Sequence, residues 1–91
     1  MSADPAAAVV SALRTVLIDT GRADREIAPP MLLGADLGLD SLDVAQAVVL
    51  LERALGVDPF RSGASGGPVR AVGDLITIYT AALEPSVRQD P

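Results

Sequence analysis

The sequence has no cysteine, histidine, tryptophan or lysine. Without cysteine there is no disulfide and no thiolate nucleophile. Without cysteine and histidine the usual zinc ligand sets are missing, and so is the side chain that most often serves as a general base near neutral pH. The remaining acid–base groups are carboxylates, one tyrosine and the α-amine, a poor kit for an enzyme that works alone. The expectation is therefore a protein that is not itself an enzyme and binds no metal. Aromatic residues are almost absent too. Phe60 and Tyr79 are the only two, so the core must be built from Leu, Val, Ile and Ala. No apolar run approaches the ~20 residues of a membrane-spanning helix. The first ten residues, MSADPAAAVV, carry no basic stretch ahead of their apolar run, which reads against a secretory signal. A cytoplasmic protein with no membrane contact is expected.

Twelve acidic residues stand against seven arginines, a net charge of −5. Such a chain repels phosphate backbones, so nucleic acid is not an expected partner. An acidic surface suits partners with basic patches, although the same charge also serves solubility alone. The 91 residues are 49% hydrophobic and 21% charged, a folding composition rather than a disordered one. They suffice for one small domain over 1–91, expected as a monomer, with an ordered core over 6–83 and a frayed tail over 84–91.

Three helices are legible. Asp4-Pro5 opens the first, with Pro tolerated in the first turn, and Val9, Leu13, Val16 and Leu17 recur at helical spacing over 6–19. Gly21 stops it. The second runs over 40–55, contains neither Gly nor Pro, and is closed by Gly56. On a wheel of about 100° per residue, Val44, Val48, Leu51 and Leu55 form one stripe that should face the core. Leu42, Ala45 and Val49 lie off that stripe, on the side of Gln46 and Arg53, where they meet solvent, a partner or a neighbouring helix. The third runs over 72–83 on Val72, Leu75, Ile76, Tyr79 and Leu83, with Asp74 in its first turn.

Between the first two helices lies a long loop, 22–38, broken by Pro29-Pro30 and glycines. Leu33 and Leu37 are its expected anchors in the core. A turn or short helix is expected near 59–61, followed by flexible linker composition over 62–68. No strand pattern and no internal repeat are visible.

The chemistry concentrates in Asp40-Ser41-Leu42-Asp43. One account is purely structural: Asp40 caps the second helix, Asp43 completes a capping box, and Ser41 merely occupies a helix start. The other uses the same geometry. A serine in the first turn is exposed beside unpaired amides, where the helix dipole favours an anion, so a phosphodiester on its Oγ would sit in a favourable field. Nothing in the sequence activates Ser41 as a nucleophile, so another enzyme would have to modify it. Gly34 and Gly38 would let the preceding loop pass close by.

Asp36-Leu37-Gly38-Leu39-Asp40-Ser41-Leu42-Asp43 resembles the phosphopantetheine attachment motif of acyl carrier proteins. Leu33 stands where that family has an apolar loop residue packed into the core, and Val72-Gly73-Asp74-Leu75 is similar to the opening of its last helix. The resemblance covers about 6–83. It implies an all-α, four-helix bundle: three main helices, a short and degenerate third helix, and a long first loop. It further implies a covalent 4′-phosphopantetheine arm on Ser41, with Asp40 as motif residue and cap. A phosphopantetheinyl transferase would install the arm from coenzyme A, and the arm's thiol would hold acyl groups as thioesters. Acyl-activating enzymes, acyltransferases and synthases would be the partners, docking on Leu42, Asp43, Ala45, Gln46, Val49 and Arg53. Two departures stand out. From Asp36 to Arg53 there are four acids and one Arg, net −3, weaker than is usual in the family, with Gln46 and Arg53 at positions often Glu. A Gly/Ser-rich insertion also replaces the usual short third helix. Both point to a specialised, free-standing carrier in fatty-acid or polyketide-type biosynthesis. An aminoacyl or peptidyl carrier is the alternative, and an unmodified helical interaction module the lesser one.

Overall fold

The computed structural model describes residues 4–22, 25–60 and 69–83. Among them are three helices and no strand: α1 (Pro5–Asp19), α2 (Ser41–Leu55) and α3 (Val72–Leu83). Pro59 and Phe60 form a turn rather than the start of a helix. The expected linker over 62–68 and tail over 84–91 lie outside the described residues.

Each helix end has a local cause. The Asp4 carboxylate accepts from the Ala6 amide, with Pro5 in the first position, where a missing N–H costs nothing. At the other end of α1 the Gly21 amide donates to the Ile18 carbonyl at 3.1 Å and the Arg22 amide to the Leu17 carbonyl at 2.7 Å. These are the paired bonds of a Schellman turn, and Gly21 takes the left-handed conformation they need, at φ 83°. The turn points the chain, and Arg22 with it, back across the bundle.

α1 packs on both other helices, and α2 and α3 barely touch one another. Val9, Leu13, Val16 and Leu17 of α1 are all buried, as their spacing predicts. Each fully buried Leu contributes about 1.5–3 kcal/mol relative to exposure. On α2 the inward line shares Leu51 with the expected one but runs through Asp43 and Ala47. Val44 and Leu55 are half-buried beside it, and Val48 is only partly covered. The reason is that the wheel weighs apolarity, whereas close helix approach selects small residues. Ala47 is completely buried and lets α1 come near.

The long loop is tied down along its length. Ile27, Leu33, Leu37 and Leu39 are buried in the common core. Its backbone pairs with the segment leading into α3, as a single antiparallel bridge between Leu32 and Ala71. The Leu33 amide donates to Arg70 O at 2.8 Å, Val72 N to Met31 O at 2.9 Å, and Gly73 N to Pro29 O at 2.8 Å. A Cβ on Gly73 would lie 3.2 Å from the Pro29 carbonyl oxygen, so any side chain there would push the loop back by a few tenths of an ångström. No helix among the described residues is long and apolar enough to cross a membrane.

Candidate functional site

The loop meets α2 at Gly38, Leu39 and Asp40. Gly38 has φ 73°, which reverses the chain just before the helix. Leu39 is buried and pins the junction from below. Asp40 then caps α2: its Oδ1 accepts from the Asp43 amide at 2.9 Å, and Asp43 Oδ2 accepts from the Asp40 amide at 3.2 Å. This is the reciprocal capping box the sequence suggested. The Asp43 amide bond, aided by further donors in the first turn and by Arg22, holds the Asp40 carboxyl below the ordinary carboxylate range.

Ser41 is the first residue of the helix and is exposed. The Leu42 and Asp43 amides are engaged by the Asp40 carboxylate, while the Ser41 amide has no acceptor within the helix and lies with the positive end of the dipole beside the Ser41 hydroxyl. Ser41 and Asp40 border an open groove of about 530 Å³. Leu32, Leu33, Leu39, Val44 and Val69 give it apolar walls, and Arg70 lies among them. The site thus combines an accessible hydroxyl, a field suited to a phosphodiester, and an adjacent apolar surface.

Leu42, Ala45, Gln46, Val49 and Arg53 are all exposed on α2. Leu42 keeps 66% of its surface in contact with solvent and Val49 46%, so no neighbouring helix among the described residues covers them. Asp43 is a correction to the expected docking face. It is 7% exposed and points inward, away from the other five residues. The capping box turns its carboxylate back towards the helix start, and Arg22 meets it there at 3.2 Å.

Arg22 is the site residue that sequence reasoning missed. Its Nη2 donates to the Gly38 carbonyl at 2.7 Å and pairs with Asp43, while Nη1 donates to Thr20 Oγ1 at 2.6 Å. It therefore ties the end of α1 to both residues that shape the start of α2. The one local signal was its place directly after a helix-stopping glycine. Asp36, in the same motif, is used structurally: its carboxylate accepts from Leu32 N, and Arg25 Nη1 donates to its carbonyl at 2.9 Å. Among the described residues no group of three or more His, Cys, Asp or Glu could hold a metal ion.

Among known protein families, the model for the phosphopantetheine attachment site matches residues 10–60. No curated protein and no solved structure gives a match.

Proposed function

Because this chain belongs to the phosphopantetheine-attachment family, whose members carry a covalently bound 4′-phosphopantetheine, we propose that it is an acyl carrier protein with the arm on Ser41. The observation that carries this reading is the placement of Ser41: exposed, in the capped first turn of α2, at the mouth of an apolar groove. The Ser41 amide and the helix dipole favour the phosphodiester that attachment creates. No base stands ready to activate the hydroxyl, so deprotonation falls to the phosphopantetheinyl transferase that delivers the arm from coenzyme A. The arm supplies a thiol that holds an acyl group as a thioester, chemistry this cysteine-free chain cannot supply itself. The residues of the chain do the rest: Asp40 and Asp43 fix the helix start, Arg22 fixes the junction, and the groove offers apolar cover beside Ser41.

The chain is then a single carrier domain rather than a catalyst. Leu42, Ala45, Gln46, Val49 and Arg53 form its docking face for acyl-activating enzymes, acyltransferases and synthases. Pairing of Asp43 with Arg22 takes up one of the four acids between Asp36 and Arg53, leaving Asp36, Asp40 and Glu52. This supports a specialised fatty-acid or polyketide-type pathway whose enzymes do not rely on a strongly acidic carrier helix.

The test is intact mass after incubation with coenzyme A and a broad-specificity transferase. The wild type should gain one phosphopantetheine and Ser41→Ala none. A folded wild type that gains nothing overturns the carrier reading and leaves an unmodified interaction module. Acyl-activating and amino-acid-activating enzymes offered to the modified protein separate acyl from aminoacyl or peptidyl carriage.

A further inference from the structure

Arg70 borders the same groove as Ser41, and among the described residues it is the only cation there. Its backbone is fixed on both sides. The Arg70 amide donates to Asp74 Oδ2 at 2.9 Å, and its carbonyl accepts from Leu33 N at 2.8 Å. Its side chain is not held in this way. Arg70 is exposed, and its guanidinium has no hydrogen bond or ion pair among the described residues. Asp74 lies close enough to feel its charge, but Asp74 Oδ2 is occupied by the amides of Arg70 and Ala71. Arg22 and Arg25, by contrast, are both engaged by the long loop, on the carbonyls of Gly38 and Asp36.

Two backbone bonds relate Arg70 to the start of α2. The Leu33 amide donates to Arg70, and the Leu33 carbonyl in turn accepts from Leu39 N at 2.9 Å. Leu39 is two residues ahead of Ser41. Backbones bonded side by side lie about 5 Å apart, so these two steps span about 10 Å. An arginine side chain reaching from one end and a phosphodiester extending from Ser41 Oγ at the other close that distance across the groove both residues border. The charges favour the meeting. Asp40 is the other charged residue lining the groove, and its carboxylate is turned onto the Leu42 and Asp43 amides. Attachment on Ser41 places a second negative charge beside it. The helix dipole acts only within the first turn, so a nearby cation is needed to offset the repulsion, and the planar fork of arginine matches phosphate oxygens.

We propose that Arg70 is the counter-ion of the phosphodiester on Ser41, a positioning residue whose guanidinium crosses the groove and holds the base of the arm towards the segment that leads into α3. The inference rests on the carrier reading and adds the residue that sets the direction in which the arm leaves α2. Without Arg70 the phosphate swings free of the groove.

The test uses the full chain, unmodified and carrying phosphopantetheine, as wild type, Arg70→Gln and Arg70→Lys, with loading verified by intact mass. The phosphodiester is the sole source of phosphorus in the modified protein, so phosphorus NMR reads it directly. At low salt the wild-type resonance should stand apart from that of Arg70→Gln, with Arg70→Lys between them. Salt of about 1 M, where the screening length is about 3 Å, should bring the wild type to the Arg70→Gln position. Attachment should raise the wild-type Tm by about 2–4 °C more than it raises that of Arg70→Gln. A purely structural arginine would instead lower Tm equally in the unmodified and modified variant. Coincident resonances in the loaded wild type and Arg70→Gln, or equal Tm gains on attachment, would overturn the proposal and leave Arg70 a solvated surface charge. A folded wild type that gains no mass overturns the carrier reading, and this inference falls with it.

Discussion

The starts of α2 and α3 solve one problem in two ways. Both helices use an aspartate at the third position to bind amides ahead of the helix. Asp43 takes the Asp40 amide, and Asp74 takes the amides of Arg70 and Ala71, each at 2.9 Å. These amide bonds hold the Asp74 carboxyl below its ordinary range, as the Asp43 amide does for Asp40. The surroundings then diverge. At α3, Gly73 is pressed against Pro29 and the start is nailed to the long loop. At α2, Ser41 is left in solvent at the edge of a groove, and the fixing is done from beneath by Leu39 and from the side by Arg22. Capping chemistry therefore does not make a site. What makes one is a helix start held rigidly while its first side chain stays accessible.

Substitutions can break this contrast, beginning with the largest effect. Ser41→Ala should abolish modification completely in the mass assay and leave Tm unchanged. Gly73→Val should do the reverse. Overpacking against Pro29 should cost about 1–3 kcal/mol in urea unfolding, with modification by the transferase retained under folding conditions. A stable Gly73→Val variant would show that the loop yields at Pro29.

Arg22→Ala comes next, because it removes a charged donor from a buried carboxylate and from the Gly38 carbonyl. A loss of about 1–3 kcal/mol in unfolding is expected, with slower modification of Ser41. Arg22→Lys should restore part of the stability but less of the rate, since an ammonium cannot reproduce the fork that reaches Thr20, Gly38 and Asp43 together. Equal modification rates in all three proteins would show that the transferase does not depend on this fixing.

The smallest effect is in the pH dependence. Asp40 and Asp74 have folded-state values depressed below the ordinary carboxylate value. The stability they contribute is complete above the unfolded value, near pH 4, and is lost as pH falls through the lower folded values. Asp40→Asn keeps a good cap but removes that titration. The acid limb of its Tm curve should be flatter than that of the wild type, and Asp74→Asn should flatten it by a similar route. An unchanged acid limb in both would show that other carboxylates govern acid unfolding.

Much of this was legible in the chain. The helix periods of α1 and α3, the stopping glycines, the capping box and the first-turn serine are all local. Each depends on residues within four positions of one another, and the backbone geometry of a helix start is the same wherever it occurs. The loop anchors Leu33 and Leu37 were also readable, since large aliphatics in a Pro- and Gly-broken segment have little use except burial. The inward line of α2 was legible in part: Leu51 is fully buried and Val44 and Leu55 pack against the core, while Asp43 and Ala47 were not foreseen in it.

The sequence by itself determined where α2 begins and that a hydroxyl stands in its first turn, because capping is a short-range matter of amides and carboxylates. It could not determine that Arg22, 16 residues before Gly38, would reach that start. Nor could it determine that Asp43 would turn inward, that Gly73 would meet Pro29, or that Tyr79 would be buried with its hydroxyl unpaired among the described residues. Those depend on how α1 lies against two helices that scarcely touch, and only packing in three dimensions fixes that.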